Sequence, residues 1–117
     1  MTYFTKNEFR NAIPSCSIDD MDKGFLQRLD IARFHSEVPY IINSAYRSVE
    51  HEKSKGRSGY SSHTKGVAVD LKATNSRTRF KIIEGLLKAG FTRIGVYDWG
   101  IHVDSDYEKD QEVIFMP

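Results

Sequence analysis

The chain has 117 residues, of which 39% are hydrophobic, 28% charged and 12% aromatic, and its formal net charge is +1. This length predicts one domain, residues 1–117, that buries a core without disulfides, and the aromatic content excludes intrinsic disorder. The near-neutral charge argues against a nucleic-acid-binding protein, and no apolar run approaches the roughly 20 residues that span a bilayer.

The first part of the chain predicts an irregular segment, a helix and a strand. Residues 1–24 show no sustained periodicity and predict an irregular segment with short helical pieces. Apolar residues recur at helical spacing in residues 21–35, which predicts an amphipathic helix. Residues 38–44 are rich in β-branched side chains and carry Pro39 near their start, so they predict a strand.

A long polar stretch follows this strand. Residues 46–66 are rich in glycine and serine and show neither helical nor strand periodicity. Loops of this length inside a compact domain are usually functional or disordered. The stretch is therefore the first place to search for a functional site.

The remaining sequence predicts a helix and several short strands. Asn75 and Ser76 are candidate N-caps, and the helical apolar pattern after them ends at Gly90. Short apolar runs predict strands at 67–71, 93–97, 101–104 and 111–115, with a tight turn at 98–100. The order of elements predicts an α+β domain with helices on one face of a mainly antiparallel sheet.

Histidines and carboxylates occur in unusually apolar surroundings in two of these strands. Asp70 stands in the run Val-Ala-Val-Asp-Leu, where an ionised group is costly unless it is paired or bound to a metal. His102 and Asp104 alternate with apolar residues, so they share one strand face. Together with His63, these residues fit a catalytic zinc site of two imidazoles and one carboxylate. The alternative is that Asp70 caps a turn and the histidines are ordinary half-buried residues.

The sequence surrounding these residues resembles the zinc D,D-peptidase family. The shared pattern comprises a strand ending in Ser44-Ala-Tyr-Arg47, a Gly/Ser-rich loop, the string Ser61-x-His63-x-x-Gly66-x-Ala68-x-Asp70, and a later His102-Val-Asp104. Residues 3–9, which begin with Tyr3, also look like the corresponding segment of short single-domain phage and bacterial members. The resemblance covers nearly the whole chain.

This resemblance implies a fold, a metal and a set of site residues. The fold would be of the hedgehog/D,D-peptidase type, and Zn²⁺ would be held by His63, Asp70 and His102. Arg47 matches the family arginine that binds substrate near the scissile bond. Ser61 matches the serine before the first ligand histidine; it is a candidate substrate-binding residue and would form a hydrogen bond in the loop or behind the ligands.

The position of the general base departs from the family pattern. Several family branches carry Glu, Asp or His two or three residues before the last zinc ligand, where this chain has Trp99 and Gly100. Asp98 is the preferred candidate, because a tight turn would swing it toward the metal. Asp104 is the other candidate, with structural support of His102 as its alternative role. Arg47 and Asp98 are both expected to be solvent-accessible.

The resemblance implies a zinc metallopeptidase that hydrolyses a peptide bond in the stem peptides of bacterial peptidoglycan, as a carboxypeptidase or an endolysin. The alternative is a non-catalytic zinc-containing binding module of the same fold, which the missing base favours. A nucleic-acid-binding protein would use Lys53, Lys55 and Arg57, but the neighbouring acids oppose this interpretation.

Partners and location follow from the same features. The expected partner is a peptidoglycan peptide, with no nucleic acid, no membrane insertion and a monomeric state. The N-terminus lacks the pattern of a secretory signal, and the single cysteine, Cys16, cannot form an internal disulfide. We therefore expect cytoplasmic synthesis, phage origin and action at the bacterial cell wall.

Overall fold

The computed structural model describes residues 4–117, so Tyr3 lies outside the described residues. Within that range the α-helices are α1 (Lys6–Arg10), α2 (Lys23–Ser36), α3 (Val49–Ser54) and α4 (Ser76–Lys88). The strands are β1 (Ile42–Ser44), β2 (Ala68–Lys72), β3 (Arg93–Val96), β4 (Gly100–Asp104) and β5 (Val113–Phe115). Two 3₁₀ turns cover Ile18–Asp20 and Ser62–Lys65.

The five strands form one mixed sheet in the order β1-β2-β4-β3-β5. The first three pairings are antiparallel, as predicted, but β5 runs parallel to β3. The segment 105–112 causes this difference, since β4 ends beside the start of β3 and the segment crosses to the other edge of β3 at that same end, where Val113 N–H donates to the Thr92 carbonyl. The α+β class is therefore confirmed, whereas the antiparallel description holds only for part of the sheet.

One sheet face carries the core and the other carries the polar residues of β2 and β4. Leu71 and Ile101 are fully buried in the hydrophobic core, to which α2 and α4 contribute Leu29 and Leu86. Side chains alternate across a strand, so the residues between the apolar ones point to the opposite face. This alternation takes the side chain of Asp70 away from the core.

Most predicted helices and strands are present, with changes at their ends. Asp22 caps α2 by accepting from Phe25 N–H, and Asn75 caps α4 by accepting from Thr78 N–H. Gly90 has a φ of 91°, the left-handed conformation expected just after a helix. The strand predicted at 38–44 begins only at Ile42. None of the helices in residues 4–117 is long and apolar enough to cross a membrane.

The polar stretch 46–66 contains more regular structure than predicted. It folds into α3 and the second 3₁₀ turn, and Ser48 caps α3 by accepting from His51 N–H. The six residues of α3 are too few to show an amphipathic period, which explains why the sequence pattern missed it. The fully buried side chain of Glu52 fixes α3 against the rest of the domain.

Gly85 provides the first test of the packing between α2 and α4. A Cβ at this position would collide with Ser36 Oγ and the Ala32 carbonyl of α2. We expect Gly85→Ala to lower the free energy of unfolding by about 1–3 kcal/mol, as overpacking does, despite the better helix propensity of alanine. Urea denaturation measures this change. Arg77→Ala, at an exposed site on the same helix, should stay within about 0.5 kcal/mol of the wild type. A Gly85→Ala variant as stable as the wild type would contradict the packing.

Candidate metal centre

The three predicted ligand residues meet at one point. Antiparallel pairing places Asp70 of β2 directly opposite His102 of β4, and the second 3₁₀ turn brings His63 beside them. Asp70 Oδ1 lies 3.3 Å from His63 Nε2 and 2.9 Å from His102 Nδ1. One ligand atom from each residue falls within 4.8 Å of the others, so the cluster can hold a metal ion.

One ring nitrogen of each imidazole is hydrogen-bonded outside the cluster, and the other ring nitrogen faces Asp70. His63 Nδ1 lies 2.6 Å from the Ala45 carbonyl, which only accepts, so Nδ1–H donates and Nε2 faces Asp70. His102 Nε2 lies 2.6 Å from Asp104 Oδ2, which leaves Nδ1 facing Asp70. Metal-binding histidines characteristically donate their outer N–H to a carbonyl or carboxylate in this way. The donor set therefore fits a metal.

Contacts within the cluster favour the ionised form of Asp70 and the protonated form of His102. Burial acts to raise the pKa of Asp70, but its hydrogen bonds to His102 and His63 outweigh burial and hold that pKa well below its usual range. Burial acts to lower the pKa of His102, but hydrogen bonds to Asp104 and Asp70 outweigh it and raise that pKa. Asp70 is thus ready to act as a ligand, and a metal would compete with a proton for His102.

Asp104 lies behind His102, on the side of the ring away from Asp70. Its side chain is 1% exposed. Asp104 Oδ2 also accepts from Arg93 Nε at 3.1 Å, and its Oδ1 accepts from Asp106 N–H at 3.0 Å. These contacts fix the carboxylate as a support that orients the His102 imidazole. This placement matches the alternative role considered for Asp104, which is structural support of His102.

Asp98 does not approach the cluster. Its side chain is exposed in the turn before β4, and it borders a separate cavity with Arg79 and Met116. Arg79 Nη2 donates to the carbonyls of Tyr97 and Asp98 at 2.6 and 2.8 Å, which holds the turn in place. The expectation that the turn swings Asp98 toward the metal is therefore not met. Solvent exposure of Asp98 was predicted correctly.

Arg47 lies beside the cluster, but it is less accessible than predicted. Its side chain is only 16% exposed, and Nη1 is 4.0 Å from Asp70 Oδ2. Arg47 Nε is 2.9 Å from Glu52 Oε1, an ion pair whose angle does not make a hydrogen bond. Truncating Arg47 would remove one partner of a fully buried carboxylate, so we expect it to destabilise the fold.

Ser61 contacts this carboxylate rather than a ligand histidine. Ser61 Oγ donates to Glu52 Oε1 at 3.0 Å, and Arg57 Nη1 donates to Glu52 Oε2 at 2.7 Å. Burial acts to raise the pKa of Glu52, but the bonds from Arg57 and Ser61 and the charge of Arg47 lower it overall. Sequence reasoning missed Glu52, because it lies in the run Glu-His-Glu-Lys, which is typical of an exposed surface.

Asp106 is a second residue that the sequence analysis missed. It is 3% exposed and accepts from Ser62 Oγ at 2.8 Å and from Lys65 Nζ at 2.9 Å. Ser62 and Lys65 flank His63, so Asp106 ties the 3₁₀ turn that carries His63 to the chain leaving β4. The repeated Asp in Asp104-Ser-Asp106 is the signal that could have indicated it.

The cluster opens into a cavity of about 420 Å³. Aromatic side chains line part of its wall, namely Tyr97, Trp99 and Phe115. Cationic side chains line the rest, namely Arg47, Arg57, Arg93 and Lys109. A cavity of this volume accommodates a short peptide or another small ligand.

Comparison with known protein families identifies the family of this chain. A family model described as Peptidase M15 matches residues 3–106. The matched range contains the whole metal cluster as well as Arg47 and Asp104. Among curated proteins, none matches the chain significantly.

Proposed function

The chain belongs to the peptidase M15 family of metallopeptidases, and on that premise we propose that it is a zinc-dependent peptidase acting on the stem peptides of bacterial peptidoglycan. The single observation that carries the proposal is the His63–Asp70–His102 cluster, in which one ring nitrogen of each imidazole faces the Asp70 carboxylate. The proposal includes a hedgehog/D,D-peptidase type fold, a monomer, phage origin and action at the cell wall. The fold type, the phage origin and the site of action are supported by the sequence resemblance.

The donor set fits zinc. Two imidazole nitrogens and one carboxylate oxygen are the protein ligands of many catalytic zinc sites, which keep a fourth position open. Zinc bound by His63, Asp70 and His102 supplies a Lewis acid that polarises a carbonyl and increases the acidity of water. The cavity at the cluster would give a peptide access to the three ligand residues.

Arg47 is proposed to orient the substrate. Its guanidinium reaches to 4.0 Å from Asp70 and borders the cavity, so a peptide at the cluster lies within its reach. Charge-assisted hydrogen bonds from arginine hold carboxylates and carbonyl oxygens in a defined geometry. Ser61 acts indirectly, since it supports Glu52, which in turn holds Arg47.

Asp104 is proposed to position His102. It accepts from the outer ring nitrogen and thereby presents Nδ1 to the cluster. A partner of this kind fixes the tautomer of the ligand and increases its basicity. Asp104 is itself held by Arg93, so the orientation of the ring is defined by contacts that do not involve substrate.

A non-catalytic zinc-binding module of the same fold is the second candidate function. One observation favours it: of the two predicted bases, Asp98 lies outside the cavity and Asp104 lies behind His102. Among residues 4–117, the only other carboxylate lining the cavity is Asp70, which is a proposed ligand. A binding module would hold zinc and peptide without cleaving the peptide.

Digestion of purified cell walls separates these two functions. Zinc-loaded protein should release soluble peptides from the walls, and a chelator should stop the release. Mass spectrometry of the released peptides identifies the bond that is cleaved. A protein that binds the walls in a zinc-dependent way but releases nothing would support the binding module.

Metal removal should lower thermal stability without unfolding the domain. A ligand at 100 times its dissociation constant stabilises the native state by about 2.7 kcal/mol. We therefore expect chelation to lower the melting temperature by several degrees. The hydrophobic core contains none of the three ligand residues, so the metal-free protein should still unfold cooperatively. An unchanged melting curve after verified zinc loss would contradict a metal that joins β2, β4 and the 3₁₀ turn.

A further inference from the structure

A buried carboxylate holds two arginines on one wall of the cavity. Glu52 is fully buried, and its Oε1 lies 2.9 Å from Arg47 Nε. Its Oε2 lies 2.7 Å from Arg57 Nη1. Burying a carboxylate is costly unless it is paired, and here each oxygen has its own guanidinium partner. The two guanidinium groups are consequently fixed beside each other.

Most hydrogen-bond donors of Arg57 remain available to a ligand. A guanidinium has five N–H donors, yet within residues 4–117 Arg57 has a side-chain contact only with Glu52, through Nη1. The side chain of Arg57 is 50% exposed and borders the same cavity as Arg47. A ligand in the cavity can therefore contact Arg57 without displacing its bond to Glu52.

The charge of the cavity wall favours an anionic ligand. Four cationic side chains line it against the two carboxylates of Asp70 and Asp104, although the whole chain carries a formal charge of only +1. Arg93 is already bound to Asp104 and to the Asp110 carbonyl. The arginines held by Glu52 are therefore better placed to bind an anion, and arginine recognises carboxylates with two parallel hydrogen bonds.

The position of Arg47 limits how far this anion lies from the metal cluster. Arg47 Nη1 is 4.0 Å from Oδ2 of Asp70, the proposed ligand carboxylate whose other oxygen, Oδ1, faces the two histidines. One extended peptide residue spans about 3.3–3.6 Å. A carboxylate bound by the arginine pair therefore lies about one or two residues from a carbonyl at the cluster, which is the position of a peptide C-terminus.

We propose that Arg57, held beside Arg47 by Glu52, completes a subsite for the C-terminal carboxylate of the peptide substrate. Arg57 is then a specificity residue, and the protein removes C-terminal residues rather than cutting within a peptide. This inference rests on the proposed peptidase function for its substrate. It adds a residue and a mode of cleavage that neither the ligand cluster nor the family match specifies.

Trp99 provides a direct measure of binding. It is the single tryptophan of the chain and it lines the cavity, so its fluorescence reports ligands there. The probes are diacetyl-Lys-D-Ala-D-Ala with a free C-terminal carboxylate and the same tripeptide as its C-terminal amide, mixed rapidly with zinc-loaded protein. The wild type should bind the acid about tenfold more tightly than the amide. Arg57→Gln should remove most of this preference by weakening binding of the acid alone.

Two further variants separate ligand binding from folding. Lys55 is an exposed cation close to Arg57 in the chain, but it does not border the cavity. The Lys55→Gln variant should therefore prefer the acid over the amide as strongly as the wild type does. Glu52→Gln/Arg57→Gln removes the buried charge together with one of its two partners, so no buried carboxylate is left short of a partner if Arg57→Gln alone is destabilised. Thermal melts confirm folding, and the double variant should also lose the preference for the acid.

The binding and cleavage results test the subsite and the peptidase function separately. A folded Arg57→Gln variant that keeps the tenfold preference overturns the subsite. If the wild type prefers the acid and loses that preference with Arg57, but cleaves neither peptide, the subsite stands and the peptidase function fails. If the wild type cleaves acid and amide equally and Arg57→Gln changes nothing, the peptidase function stands and the subsite is wrong.

Discussion

Replacing His63 with alanine is expected to remove zinc and to reduce peptide hydrolysis to background. His63 is 3% exposed, and its Nε2 is one of the three clustered ligand atoms. Loss of a residue that merely supports a ligand weakens metal binding about 10–100-fold, so loss of the ligand itself should weaken it further. Metal analysis after gel filtration, together with hydrolysis of a stem peptide, measures both effects.

His51→Ala is the matched control for this substitution. His51 lies in α3 and does not border the cavity, so this variant should keep its zinc and its activity. Circular dichroism should show that both variants remain folded. If His63→Ala kept a full zinc complement and near-wild-type hydrolysis, the assignment of this ligand would be wrong. If it kept zinc but lost activity, the metal would lie elsewhere in the protein.

Asp104→Asn is expected to weaken zinc binding about 10–100-fold and to reduce hydrolysis at non-saturating zinc, because Asp104 determines which nitrogen of His102 faces the cluster. An asparagine that donates its amide N–H toward Nε2 would favour the wrong tautomer. A zinc titration of each protein gives the affinity, and a hydrolysis assay at saturating zinc separates metal loss from a catalytic defect. Excess zinc should restore part of the activity.

Asp98→Asn is the comparison that decides between the two predicted carboxylates. Asp98 is exposed and outside the cavity, so this variant should retain zinc, stability within about 0.5 kcal/mol and nearly full activity. Loss of a general base typically costs about 10²–10⁴-fold in rate. Such a loss in Asp98→Asn, with zinc in place, would show that the turn moves during catalysis and that Asp98 is the base.

The ligand cluster was predictable because its residues contradict their local surroundings. Asp70 and His102 are polar residues in short apolar strands, and His63 is linked to Asp70 by a specific string. The capped helices were predictable for a similar reason, since caps and helical periodicity are local signals. Strand alternation correctly put His102 and Asp104 on one face of their strand.

Features that depend on distant contacts were not predictable. The parallel direction of β5 depends on where residues 105–112 cross, which strand propensity does not encode. The placement of Asp98 depends on Arg79, whose guanidinium reaches across to the turn before β4. Glu52 looks like a surface residue in its local sequence, and only its contacts with Arg47 and Arg57 explain its burial.

Zinc titration of the metal-free protein, with hydrolysis of a D-amino-acid-containing stem peptide followed at each addition, tests the central claim most directly. The proposed centre predicts that activity rises with added zinc and reaches its maximum at about one ion per chain, as a single site of three protein ligands requires. The same titration of His102→Ala should give no activity at one equivalent. Hydrolysis that is undiminished in the metal-free wild type, or wild-type protein that binds one zinc and never cleaves the peptide, would contradict it.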